Sequence, residues 1–218
     1  MTDEQVFEFY RRLAEANPAP ETELRWENPY TLLVAVALSA QATDVSVNKA
    51  TGPLFAVADT PHKMVELGEE AVRGHIRTIG LYNTKAKNVV LLSQALIDEH
   101  GGEVPADRDL LEKLPGVGRK TANVVLNTAF SHETIAVDTH IFRVCNRTGL
   151  APGKTPLAVE LGLEAVTPKP FRLGAHHWLI LHGRYVCKAR RPECWRCVVS
   201  GLCAFQPKTP PPKAAADA

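Results

Sequence analysis

Two groups of residues in this 218-residue chain have the types and spacing to do chemistry. The first is Leu114-Pro115-Gly116-Val117-Gly118, followed by Lys120 and then Val137-Asp138-Thr139-His140. Gly116 and Gly118 have access to backbone conformations closed to other residues, and Pro115 presets the entry, so amide groups there can converge on one point. That is a cradle for a phosphate. The helix expected from Arg119 to Phe130 adds its positive N-terminal end to the same site. A Gly-x-Gly turn alone is equally a tight, ligand-free connection between helices. Lys120 adds weight to the first reading, because the helix dipole opposes a cation in the first turn and a purely structural position would carry an acid or a cap. A lysine acting as a nucleophile must be neutral, and with an ordinary pKa of about 10.4 it is not. The helix N-terminus and partial desolvation are the two influences expected to lower it. Otherwise Lys120 is a solvated surface residue or a phosphate contact. Asp138 precedes the apolar-periodic Ile141, Phe142, Val144 and Cys145, which makes it a helix N-cap and leaves a second, chemical role open. His140 reads as structural.

The second group is Cys187-x6-Cys194-x2-Cys197-x5-Cys203, four thiols within seventeen residues of a chain with five cysteines. The chain opens Met-Thr-Asp-Glu-Gln with no secretory signal, so reduced thiols holding a metal centre are expected rather than a disulfide knot. Structural zinc takes two close pairs, and only Cys194 and Cys197 have that spacing. Gaps of six and five suit wrapping around a larger object such as a four-iron cubane cluster. Zinc is the alternative, with His182 a poor substitute ligand. Cys145 lies on an apolar helix face and reads as a buried core thiol.

Elements that position these groups are legible as helix starts. Asn28-Pro29, Thr60-Pro61 and Thr155-Pro156 each place a capping side chain before a proline at the first helical position. Asp107 opens a helix expected over 109–114, and Gly68 and Gly101 stand where helices following Pro61 and Thr84 should end. About ten helices and no strand signal predict an all-α fold. Val6, Phe7, Tyr10 and Leu13 form the apolar face of an N-terminal helix, and Trp178, Leu179 and Leu181 mark another near the C-terminus. With 45% hydrophobic and 22% charged residues the chain has a core to bury, and its longest apolar run, 30–40, is too short to span a bilayer. Net charge is only +1, but its distribution is uneven. Residues 1–29 hold seven acids against three arginines, whereas 172–208 hold seven bases against Glu193 alone. Lys188, Arg190 and Arg191 fall inside the first cysteine loop, where the cluster would hold a basic surface in shape for phosphates. Those bases would also offset a cluster's negative charge.

The glycine turn, Lys120, the Val-Asp-Thr-His segment and the cysteine spacing together resemble the endonuclease III family of helix-hairpin-helix, iron–sulfur DNA glycosylases. The resemblance spans residues from about 5 to 205. It implies two helical domains flanking a DNA-binding cleft: a six-helix barrel with the helix-hairpin-helix over 23–132, and a discontinuous iron–sulfur cluster domain over 1–22 and 133–206. Residues 207–218, rich in proline and alanine, are expected to be a disordered tail. It further implies that Lys120 is the nucleophile, that Asp138 assists base departure, and that the four cysteines hold a [4Fe-4S] cluster. Gln41, in Ser39-Ala40-Gln41-Ala42, would fill the gap left by an extruded nucleotide, and Leu81, in Gly80-Leu81-Tyr82-Asn83, would wedge into the stack. Gly116, Gly118, Lys188, Arg190 and Arg191 would contact the DNA backbone. The implied activity is excision of oxidised pyrimidines from damaged double-stranded DNA with strand cleavage at the abasic site. The enzyme would act as a monomer in the cytoplasm, on the nucleoid if the source is bacterial. A pyrimidine-dimer or mismatch glycosylase on the same scaffold is the nearest alternative, although the mismatch enzymes lack the lysine. A non-catalytic iron–sulfur DNA-binding protein is the alternative from another class.

Overall fold

Most helix starts are set by side chains that satisfy the first free amides, and in the computed structural model these fall where those side chains stand in the sequence. Residues 1–212 are described; 213–218, the end of the expected tail, lie outside them. The described residues form α1 (Asp3–Ala16), α2 (Pro29–Leu38), α3 (Asp44–Phe55), α4 (Pro61–Ile76), α5 (Tyr82–His100), α6 (Arg108–Leu111), α7 (Arg119–Phe130), α8 (Thr139–Thr148), α9 (Pro156–Val166) and α10 (Arg172–Tyr185). Three single-turn 3-10 helices complete the set, and no strand occurs among the described residues. Asn28, Thr60 and Thr155 cap α2, α4 and α9 ahead of their prolines. Gly68 (φ 80°, ψ 160°) interrupts α4 and Gly101 (φ 61°) ends α5.

The helix expected over 109–114 is instead α6, Arg108–Leu111, capped by Asp107. Beyond it Lys113 N–H bonds Leu110 O at 3.2 Å and Leu114 N–H bonds Leu111 O at 3.1 Å, the tighter three-residue spacing. The cause is Pro115, which disfavours helical geometry at Leu114 and stops the helix early.

The chain divides into two compact units, 22–132 and the pair of segments 1–21 with 133–218. In the first, α2 is apolar all round, with Leu32, Leu33, Val34, Ala35 and Leu38 fully buried, and packs against α3, α5 and α7. A helix of that composition belongs at the centre of its unit. Its Tyr30 hydroxyl bonds Ser93 Oγ at 2.6 Å, satisfying both buried groups.

In the other unit α1 turns Val6, Phe9, Tyr10 and Leu13 inward. This differs from the expected face: Phe7 is 45% exposed and Phe9 is buried, because the helical period puts 6, 9, 10 and 13 on one stripe and leaves 7 at its edge. Tyr10 stacks on Phe171 and bonds Thr167 through its hydroxyl, while Trp178 donates to Asn17 O at 2.8 Å. These contacts join segments more than 150 residues apart in sequence. They assemble the core that Ile141, Val144, Leu179 and Cys187 also enter. No helix among the described residues is long and apolar enough to cross a membrane.

Candidate active site and cluster loop

Among the described residues seven α-helices have a side-chain cap, and α5, α7 and α10 do not. The uncapped α5 and α7 begin at expected site residues. Gly118 is the N-cap of α7 and offers no side chain, so the first turn, with Lys120 as its second residue, is open to an external anion. Lys120 is exposed; the partial desolvation expected for it is not supplied by the free protein.

Val117 N–H bonds Leu114 O at 3.0 Å, closing a turn whose third residue, Gly116, has φ 78°. Proline second and a left-handed glycine third make this a type II turn. A Cβ on Gly116 would stand 2.9 Å from Asn88 Cβ, so strain and contact both require glycine. The expectation that Gly118 also needs a glycine conformation is corrected: its φ is −105°, open to any residue. Nothing lies within 4 Å of where its Cβ would stand. An N-cap takes extended geometry anyway, so what glycine adds here is bare, unobstructed backbone.

Asp138 is the N-cap of α8. Its Oδ1 accepts from the amides of His140 at 2.9 Å and Ile141 at 2.8 Å. The buried segment Ile135, Ala136 and Val137 anchors the approach to it. Lys120 and Asp138 stand in different units, each held by its own helix terminus.

Gln41 and Leu81 share a signal that their residue types do not carry. Both have left-handed backbones, φ 55° and 61°, and the one other such non-glycine among the described residues is Ser131, the C-cap of α7. A bulky leucine there is strained. Leu81 is also 62% exposed while serving as the N-cap of α5 without a cap bond.

The four thiols of the C-terminal loop line one hollow with Thr148, His182, Val186 and Phe205. Cys197 is pushed up to about 11, first by burial and then by the nearby Cys203, Cys187 and Cys194 sulfurs. Among the described residues no three His, Cys, Asp or Glu side chains converge tightly enough for a single metal ion. Four sulfurs lining one hollow suit a multi-iron cluster. His182, held neutral by burial and by Arg196 with its pKa down to about 4, places Nε2 3.7 Å from Cys197 Sγ. Cys145 is buried and its thiol pushed up by desolvation, a core residue.

Two arginines absent from the sequence reading secure this loop to α8. Arg143 donates from Nε to Cys187 O at 3.0 Å and from Nη2 to Gly183 O at 2.8 Å, with His140 Nδ1 beside it at 3.2 Å. Arg147 donates to the Lys188 and Ala189 carbonyls at 2.6 and 2.5 Å, lies 3.8 Å from Cys187 Sγ, and sits 5.2 Å from the Phe205 ring centroid. An i,i+4 arginine pair ahead of a cysteine loop was the available signal. Within the loop Lys188 pairs with Glu193 at 2.6 Å, and Arg196 pairs with the same carboxylate. Arg190 and Arg191 are exposed. At the start of the expected tail Lys208 bonds the Cys203 and Phe205 carbonyls at 2.7 and 2.8 Å.

Residues 34–169, which contain the glycine turn, the uncapped helix with Lys120 in its first turn and the capping Asp138, match the HhH-GPD superfamily of base excision DNA repair proteins. Residues 187–203 match the iron–sulfur binding domain of endonuclease III. The chain is 59% identical over 208 residues to endonuclease III of Escherichia coli strain K12, covering 95% of this chain and 99% of that protein. It is 55% identical to endonuclease III of Haemophilus influenzae over the same shares. A solved structure of a trapped endonuclease III–DNA covalent intermediate superposes with a TM-score of 0.88 at 46% identity, over 94% of this chain and 96% of that one. The chain therefore belongs to the endonuclease III family: it is a bifunctional DNA glycosylase and abasic-site lyase with a [4Fe-4S] cluster.

Proposed function

We propose that the chain excises oxidised pyrimidines from duplex DNA, with Lys120 as the nucleophile and Asp138 as the residue that assists base loss. The observation that carries this is the exposed lysine in the uncapped first turn of α7, where amides bind a phosphate next to the amine that attacks its sugar. In this reading residues 23–132 form a six-helix barrel that carries Lys120, and the cluster domain carries Asp138. Neutral Lys120 Nζ attacks C1′, the C1′–N bond breaks, and the base leaves with its bonding electrons and takes a proton. Carboxylate Asp138 stabilises the electron-poor sugar. The sugar ring opens to a Schiff base on Nζ, a 2′ proton is removed, and the 3′ phosphate leaves by β-elimination. Bound DNA supplies the desolvation that favours the neutral amine.

Gln41 and Leu81 enter the duplex, Gly116 and Gly118 present backbone to a phosphate, and Arg190 and Arg191 contact other phosphates. Lys188, already paired with Glu193, contributes by exchanging that partner. Cys187, Cys194, Cys197 and Cys203 hold the cluster, which when bound supplies a rigid framework and negative charge for the basic loop. The protein acts as a monomer on cytoplasmic DNA. Single-turnover excision measured across duplexes carrying an oxidised pyrimidine, a pyrimidine dimer or a mismatched base tests the substrate class. Fastest release from the oxidised pyrimidine is expected, and fastest release of either other base would overturn it.

A further inference from the structure

Lys85 is a lysine with 8% exposure whose ammonium pairs with no carboxylate among the described residues. It donates instead to Leu38 O at 3.0 Å and Ala40 O at 2.7 Å. Burial pulls its pKa down from the usual lysine range, so the charge is held at a cost that a plain packing contact would not need. Both acceptors lie at the C-terminal end of α2, where a cation meets the negative end of the helix. Lys85 itself sits in the first turn of α5, and its own amide bonds Leu81 O at 3.0 Å.

The second acceptor is the informative one. Ala42 N–H bonds Ser39 O at 3.0 Å, closing a turn over 39–42 with Gln41 third at φ 55°. A left-handed third residue marks a type II turn, whose central peptide is flipped relative to type I. That central peptide is Ala40–Gln41, and its carbonyl is the one Lys85 takes. Without the donor the peptide is free to rotate to the type I arrangement, in which Gln41 has negative φ and no strain.

We propose that Lys85 is a positioning residue for nucleotide extrusion, clamping the Ala40–Gln41 peptide to the first turn of α5 so that Gln41 and Leu81 enter DNA as one rigid pair. This rests on the reading of Gln41 and Leu81 as the inserting side chains. The clamp pre-orders two strained backbones before DNA arrives, so their ordering is not charged against extrusion. An already extruded or easily extruded site gains less from it.

The test uses the cluster-loaded protein and duplexes with 2-aminopurine beside the lesion, whose fluorescence rises on unstacking. Lys85→Met keeps side-chain length and removes the donor; Lys85→Leu, which also lacks a donor, carries the same test if the methionine variant does not fold. The expected result is a loss of about ten- to hundredfold in unstacking rate and in single-turnover excision, with DNA affinity and cleavage of a preformed abasic site changed far less. Adding Gln41→Ala to Lys85→Met should cost no more than Gln41→Ala alone, since the two act as a unit. If Gln41→Ala and Leu81→Ala slow unstacking while the Lys85 variant matches wild type, or if the double variant shows the full product of both losses, the clamp is wrong and the inserting pair stands. If neither Gln41→Ala nor Leu81→Ala slows unstacking, the reading beneath it fails.

Discussion

Asp138 holds a cap and is assigned a charge, and the geometry allows the two to be separated. Both capping bonds, from His140 and Ile141, end on the same oxygen, Oδ1. Asparagine presents that oxygen unchanged, so Asp138→Asn keeps both bonds and forfeits only the attraction between the carboxylate and the helix terminus, about 0.3–1 kcal/mol. Asp138→Ala loses the bonds as well, which costs about 1 kcal/mol more and in extreme cases 2. For a protein of this size each kcal/mol is about 2–4 °C of Tm. Asparagine should therefore melt within a few degrees of wild type and alanine clearly below it. Catalysis ranks the variants differently. A carboxylate near a developing positive sugar, once removed, forfeits roughly 3–4 kcal/mol, or about 10²–10³ in rate. Asn and Ala should then be nearly equal in single-turnover excision, both 10²–10³ below wild type, and both less affected on a preformed abasic site, where the base has already gone. Thermal melts and rapid-quench kinetics on the two substrates measure all of this. Excision that tracks Tm, with Asp138→Asn close to wild type, would reduce Asp138 to a cap.

The glycine turn separates conformation from access: Gly116→Ala, at φ 78° and 2.9 Å from Asn88, should destabilise by about 1–3 kcal/mol in denaturant melts. Gly118→Ala should leave stability within about 0.5 kcal/mol yet weaken DNA binding several-fold, and undiminished affinity would mean no phosphate approaches there. Arg190→Ala and Arg191→Ala should each reduce the slope of log Kd against log salt by about 1, and slopes equal to wild type would remove the cluster loop from the DNA contact. Anaerobically purified protein should contain four iron and four acid-labile sulfide per chain, with Cys187→Ser lowering both; zinc without sulfide would contradict the cluster.

Helix starts were legible because each rests on a local rule: Asn28, Thr60, Asp107 and Thr155 cap within three residues of themselves. The lysine, the aspartate and the four thiols were legible because chemistry demands those residue types at those spacings. What stayed hidden depends on long-range geometry. Arg143 and Arg147 reach carbonyls about forty residues away, Lys85 reaches Ala40 forty-five residues back, and nothing in a surface-type residue announces such a partner. Gln41 and Leu81 are ordinary as letters and unusual as backbones, so composition missed them without the family resemblance while φ exposes both. Gly118 shows the reverse error. Glycine suggests a special conformation, and the structure uses it for the absence of a side chain.

Borohydride trapping tests the role of Lys120 most directly. Lys120→Gln keeps a polar side chain of similar reach at an exposed position, so folding and cluster content should be unchanged while the amine is gone. Incubated with duplex DNA containing a preformed abasic site and borohydride, wild-type protein should become covalently attached to DNA and cleave the strand, and Lys120→Gln should do neither. Trapping of the variant at the wild-type rate would place the Schiff base on another amine and contradict the assignment.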